Sequence, residues 1–88
     1  MTNRIIVDVR EPLEYKMGHV KGAINIPPAK LLAGLPKELH GIPKDTEIIL
    51  YCVSGARSNS SMYILRSFGF THLINGINRH QVEAKYPT

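Results

Sequence analysis

The sequence predicts a small α/β domain of three layers, a central parallel sheet flanked by helices on both faces. Two observations predict it. Strand-like and helix-like segments alternate along the whole chain. The strand-like segments are also short and apolar at consecutive positions, as strands covered on both faces are, whereas a half-exposed strand alternates apolar and polar residues. The 88 residues fit one domain, spanning 1–88. A chain of this length buries roughly 60–70% of its unfolded surface, enough for one modest core.

Each element follows from local chemistry. Ile5-Ile6-Val7-Asp8-Val9 is a β-branched run and reads as a buried strand, ended by Arg10-Glu11-Pro12. Pro12 suits the first turn of a short helix over 12–17, with Glu11 and Glu14 near its positive end and Gly18 as its stop. Ala23 to Ile26 is a second strand closed by Pro27-Pro28, and Lys30 to Leu35 a short helix with Leu31, Leu32 and Leu35 on one side. Gly41 to Asp45 is a turn-rich connector, and Glu47 to Tyr51 a third strand. Ser58 to Phe68 is the best helix, because Met62, Leu65 and Phe68 recur at three-residue steps beside Ile64 and Gly69 ends the run. Phe70 to Ile74 is a fourth strand, Asn75-Gly76 a turn, and Asn78 to Lys85 a last helix before Pro87.

Composition excludes several classes. One cysteine cannot form an internal disulfide, so nothing calls for an oxidising compartment. Only three apolar residues separate Arg4 from Asp8, too few for a signal-peptide core, and the longest apolar run, Ile48 to Val53, is far too short to span a membrane. A soluble, cytoplasmic protein is the expectation. The net charge of +4 comes from 11 Lys+Arg against 7 Asp+Glu scattered singly, without the basic stripe of a nucleic-acid surface. His40, His72 and His80 have no ligand-like spacing with each other or with Cys52, so no metal site is expected.

Cys52 is the centre of the functional reading. The apolar run Ile48-Ile49-Leu50-Tyr51 ends on this thiol, and Val53-Ser54-Gly55-Ala56-Arg57-Ser58 follows before the helical pattern. The sulfur thus sits at the carboxyl mouth of a strand, where ligands of parallel sheets bind, facing a helix N-terminus. The six backbone N–H groups of residues 53–58 can converge on it if the loop curls, and such a nest lowers a thiol pKa from its usual value near 8.5. A lone Arg57 would read as a solvated surface charge; within the loop two roles are favoured over that and stay open, an inward charge or a loop-bracing salt bridge. For Ser58 the roles are helix cap or sulfur contact. Ser54 reads as a turn residue. Four residues separate Cys52 from Arg57, one fewer than a loop built to encircle a phosphoryl group, so a smaller target such as a single sulfur is favoured.

These residues resemble the rhodanese family of thiosulfate/persulfide sulfurtransferases. Cys52-Val53-Ser54-Gly55-Ala56-Arg57-Ser58 resembles the family's active loop, and Val7 to Glu11 with His19 to Pro27 resembles its N-terminal signature. Tyr63 to Asn75 resembles the segment that follows the loop. The resemblance implies a small rhodanese-like fold and transfer of sulfane sulfur from thiosulfate, a persulfide or a polysulfide to a thiophilic acceptor. Cys52 would be the nucleophile and residues 53–58 the substrate loop, with no metal or organic cofactor. Partners would be small sulfur-containing anions or persulfides and an acceptor thiol or protein, with neither nucleic acid nor membrane. Two departures stand out. Val53 occupies a position where many thiosulfate-using members carry a basic residue, and Asn75-Gly76 stands where the family often has two glycines. Asp8, Arg10 and His19 are read as structural, with Asp8 paired to Arg10 or to loop amides. A non-catalytic interaction module on the same fold is the alternative, and the retained Cys52 argues against it.

Overall fold

Four strands make one sheet in the computed structural model, which describes residues 4–87. They are β1 (Arg4–Asp8), β2 (Ile24–Asn25), β3 (Glu47–Cys52) and β4 (Leu73–Asn78), and they pair in the order β2-β1-β3-β4, all parallel. The connections carry α1 (Pro12–Lys16), α2 (Pro28–Leu32), a 3-10 turn (Lys37–Leu39) and α3 (Ala56–Ser67), and α4 (Arg79–Lys85) follows β4. The chain steps one way across the sheet from β1 to β2, then returns past β1 to β3 and on to β4. Right-handed crossovers that run in opposite directions put their helices on opposite faces.

The core reflects that rule. On one face Val7, Val9, Ile48, Leu50 and Cys52 pack with Leu31 of α2, Leu39 of the 3-10 turn and Leu65 of α3, together with Ile26 and Phe70. On the other face Ile6, Ile49 and Tyr51 pack with Val20, Ala23 and Val82 of α4, and Tyr15 of α1 lies against them. β3 is therefore buried on both sides, alternating Ile48, Leu50, Cys52 with Ile49, Tyr51. This is why its sequence is continuously apolar. The expected three-layer architecture is the observed one.

Several boundaries differ from expectation. β1 runs Arg4–Asp8 rather than 5–9, and the second strand is only two residues long. Pro28 does not close that strand but opens α2, because a proline at the first helical position loses no hydrogen bond. The expected helix over 30–35 is accordingly Pro28–Leu32, and the 3-10 turn was not anticipated. The largest correction concerns the fourth strand. Phe70 precedes it as a fully buried plug, and the strand begins at Leu73. Asn75 and Gly76 lie within β4 and do not form a turn. Leu50 pairs with Asn75 but Tyr51 pairs with Ile77, so Gly76 is the extra residue of a bulge. A Cβ on Gly76 would lie 2.5 Å from Val82 and 3.1 Å from the Leu50 carbonyl, so close packing selects the glycine here, not turn chemistry. α3 starts at Ala56, two residues earlier than expected, with Gly55 as its N-cap at φ 93°.

Candidate active site

β1 and β3 are neighbours, and the chain leaves their carboxyl ends in opposite directions. That is the topological switch point, where a crevice opens because the two connections diverge. The end of β3 brings Cys52 to it, and the end of β1 brings Arg10, Glu11 and the start of α1.

The Cys52 side chain is buried, at 2% exposure, on the α3 face of the sheet. Gly55 supplies the bend that turns the loop back over it. Its left-handed φ of 93° is costly for any residue with a Cβ, and it aims the Gly55 N–H at Sγ, 3.1 Å away. Burial alone pushes the thiol pKa up. The Ser58 amide and hydroxyl and the Gly55 and Ser54 amides outweigh burial and bring it from 9.0 down to about 7. Of the six loop amides, the Gly55 N–H donates to the sulfur, and the six do not all converge on it. Ala56 N–H, for one, donates to Ser54 Oγ at 3.4 Å. Val53, directly after the cysteine, is 57% exposed at the mouth of the site.

Ser58 is not the helix cap. It lies in the first turn of α3, fully buried, with Oγ 3.6 Å from Sγ. Arg57 takes the bracing role of the two left open. Nη1 and Nη2 donate to the two carboxylate oxygens of Glu14 at 2.7 and 3.1 Å, tying the loop-to-α3 junction to α1 across the crevice. The pairing raises the guanidinium pKa and holds the Glu14 carboxyl down to about 2, chiefly through that hydrogen bond. Glu14 also accepts the Glu11 N–H at 2.9 Å, closing the N-terminus of α1.

Asn75 is a site residue that sequence reasoning missed. Its Oδ1 accepts the Ser58 hydroxyl at 2.6 Å and the Ile77 N–H at 3.0 Å, while its Nδ2 donates to the Gly55 carbonyl at 3.1 Å. A single side chain on β4 thereby holds both the glycine bend and the serine beside the sulfur. The sequence signal was present but misleading, since Asn before Gly is a turn signature.

Asp8, Arg10 and His19 are not assembled on Cys52. Buried Asp8 accepts from the Arg10 backbone N–H and guanidinium and, at 2.7 Å, from the Tyr51 hydroxyl. Arg10 Nη2 also donates to the Gly18 carbonyl. His19 stacks on Tyr15 at 3.6 Å, with Nδ1 2.8 Å from the Tyr15 carbonyl oxygen. Together they brace the β1-to-β2 connection under the crevice.

The chain is 39% identical over 70 residues to an uncharacterized protein of Bacillus subtilis, YqhL, covering 80% of this chain and 52% of that one. It is 38% identical over 79 residues to a thiosulfate:glutathione sulfurtransferase of Saccharomyces cerevisiae, covering 80% of this chain and 57% of the relative. It thus spans about half the length of these curated relatives. A rhodanese structure with anions from E. coli superposes with a TM-score of 0.75 at 30% identity, covering 89% of both chains. The family model described as "Rhodanese-like domain" matches residues 1–79, from β1 through the Cys52 loop to the end of β4, and the chain belongs to that family.

Proposed function

We propose that this chain is a rhodanese-type sulfurtransferase that carries sulfane sulfur on Cys52. The observation that carries the reading is a buried thiol at the end of a central strand that accepts the Gly55 N–H at 3.1 Å, an environment that lowers its pKa to about 7. A relative named as a sulfurtransferase and a rhodanese structure of the same fold support it. The Cys52 thiolate attacks the outer sulfur of the donor. A new S–S bond forms as the donor's own bond to that sulfur breaks, and its electron pair leaves with sulfite or a thiolate. The resulting Cys52 persulfide is anionic at its outer sulfur, so the same amides and helix N-terminus stabilise it. An acceptor thiolate, cyanide or a sulfur-accepting protein then attacks that outer sulfur and restores the Cys52 thiolate. Two displacements on one covalent intermediate give ping-pong kinetics, with no metal or organic cofactor in either.

Residues 53–58 shape the donor site in this reading. Arg57 is engaged by Glu14, and Val53 offers an exposed apolar side chain where a basic residue would contact a dianion. Organic persulfides are therefore favoured over thiosulfate. Intact-protein mass spectrometry after incubation with each donor should show about 32 Da added to the wild type, one sulfur, and none to Cys52→Ser. Absence of an adduct with every sulfane donor refutes the proposal. Val53→Arg should raise thiosulfate turnover, and an unchanged rate would remove Val53 from the donor argument.

A further inference from the structure

The hydroxyl of Ser58 has one proton and three acceptors within reach. They are Asn75 Oδ1 at 2.6 Å, the Gly55 carbonyl at 3.1 Å and Cys52 Sγ at 3.6 Å. The Gly55 carbonyl already accepts from the Asn59 N–H at 2.9 Å and from Asn75 Nδ2 at 3.1 Å, which occupies both of its lone pairs. Asn75 Oδ1 has room for Ser58 beside the Ile77 N–H. Those two fixed partners, a carbonyl facing Nδ2 and an N–H facing Oδ1, also settle the orientation of the amide. The Ser58 proton therefore rests on Asn75 while Cys52 is a thiol, and the thiol S–H can donate to the free Ser58 lone pair.

A thiolate has no proton to donate and requires donors instead. When the Cys52 proton leaves to solvent, the Ser58 O–H can serve the sulfur only by rotating away from Asn75. We propose that Asn75 is a positioning residue that competes with Cys52 Sγ for the single proton of Ser58, and so sets how basic and how nucleophilic the thiolate is. In the persulfide the charge moves to the outer sulfur, Sγ no longer requires the hydroxyl, and Ser58 returns to Asn75. The amide thus favours the protonated and loaded states over the bare thiolate, which keeps the attacking sulfur reactive. A less basic thiolate is a weaker nucleophile.

This inference rests on Cys52 as the reacting group but does not require sulfur transfer to be the reaction. Among the described residues the charged groups around the crevice are Arg57 of α3, its partner Glu14 of α1, and Glu11 and Arg10 just after β1. Asp8 of β1 is committed to Arg10 and Tyr51. In β4 the positions opposite Leu50, Tyr51 and Cys52 are Asn75, Ile77 and Asn78, none of them charged. All the charges are retained in the variants below.

The test is the pH titration of the Cys52 13Cβ chemical shift, a single signal because the chain has one cysteine. Asn75→Ala frees the Ser58 proton, so the thiol pKa should fall by about half to one pH unit, the worth of one neutral hydrogen bond. Ser58→Ala should raise it. In the Ser58→Ala background, Asn75→Ala should then leave it unmoved. If Asn75 merely stiffens the loop, its loss raises the pKa, and in both backgrounds; either result overturns the proposal. Asn75→Gly makes the same deletion if alanine disturbs the strand. A normal titration without any sulfur adduct would sink the sulfurtransferase reading and leave this one standing.

Discussion

Cys52 couples chemistry to pH, and the sign follows from its position. Its folded pKa, about 7, lies below the ordinary thiol value of about 8.5 that the unfolded chain has. The folded state therefore holds fewer protons than the unfolded one between those values, and stability rises with pH across the window. The contribution is complete above about pH 9 and lost as pH falls through 7, with a ceiling of about 2 kcal/mol. Urea unfolding of the wild type and Cys52→Ser at pH 6 and 9 should show the difference widening at the higher pH. A constant difference would mean that the amides do not stabilise the thiolate. The rate of iodoacetamide alkylation should likewise reach half its maximum near pH 7, well below a free thiol.

The bulge in β4 couples two elements to the site. Gly76 adds one residue against β3, and the residues on either side of it change register: Asn75 faces Leu50, and Ile77 faces Tyr51. Ile77 is left at φ 74°, a region β-branched residues avoid, with its N–H held by Asn75 Oδ1. The strain is the cost of presenting the Asn75 amide to the Gly55 bend. Gly76→Ala drives a Cβ into Val82 of α4, Ile49 of β3 and the Leu50 backbone. We expect a loss of about 1–3 kcal/mol, read as a lower Tm, because an overpacked β3–β4–α4 contact must open. A Tm equal to wild type would show that the bulge relaxes without cost.

At the scale of the molecule, one tyrosine locks the sheet to its connections. Tyr51 lies on the face opposite Cys52, fully buried, and its hydroxyl donates to Asp8 on β1 while accepting the Val20 N–H at 3.0 Å. Burial pushes its own pKa up to about 12, so it stays a donor throughout the ordinary pH range. Tyr51→Phe leaves the Val20 N–H without its partner and removes one donor from a buried carboxylate. That should cost about 1–3 kcal/mol in denaturant unfolding. Because the hydroxyl points away from the sulfur, the Cys52 titration should be unchanged, and a shifted one would show that the two faces are coupled.

The sequence alone determined the layer architecture, the helical run around Leu65 and the placing of a thiol at a strand mouth, because each depends on local periodicity or on one short motif. That Asp8 is paired, with Arg10 or with loop amides, was legible for the same reason, since Asp8 lies in a buried strand two residues from Arg10. Long-range partners were not legible. Arg57 offered two roles until Glu14, 43 residues away, arrived across the switch point to take both guanidinium nitrogens. Asn75-Gly76 has the local chemistry of a turn, yet packing against β3 and α4 draws it into a strand, where the glycine fills a space with no room for Cβ and the asparagine reaches the loop. Local propensities are worth tenths of a kcal/mol to about 1 kcal/mol per residue. Burial and steric exclusion in the tertiary structure exceed that, and they decided which residues surround the sulfur.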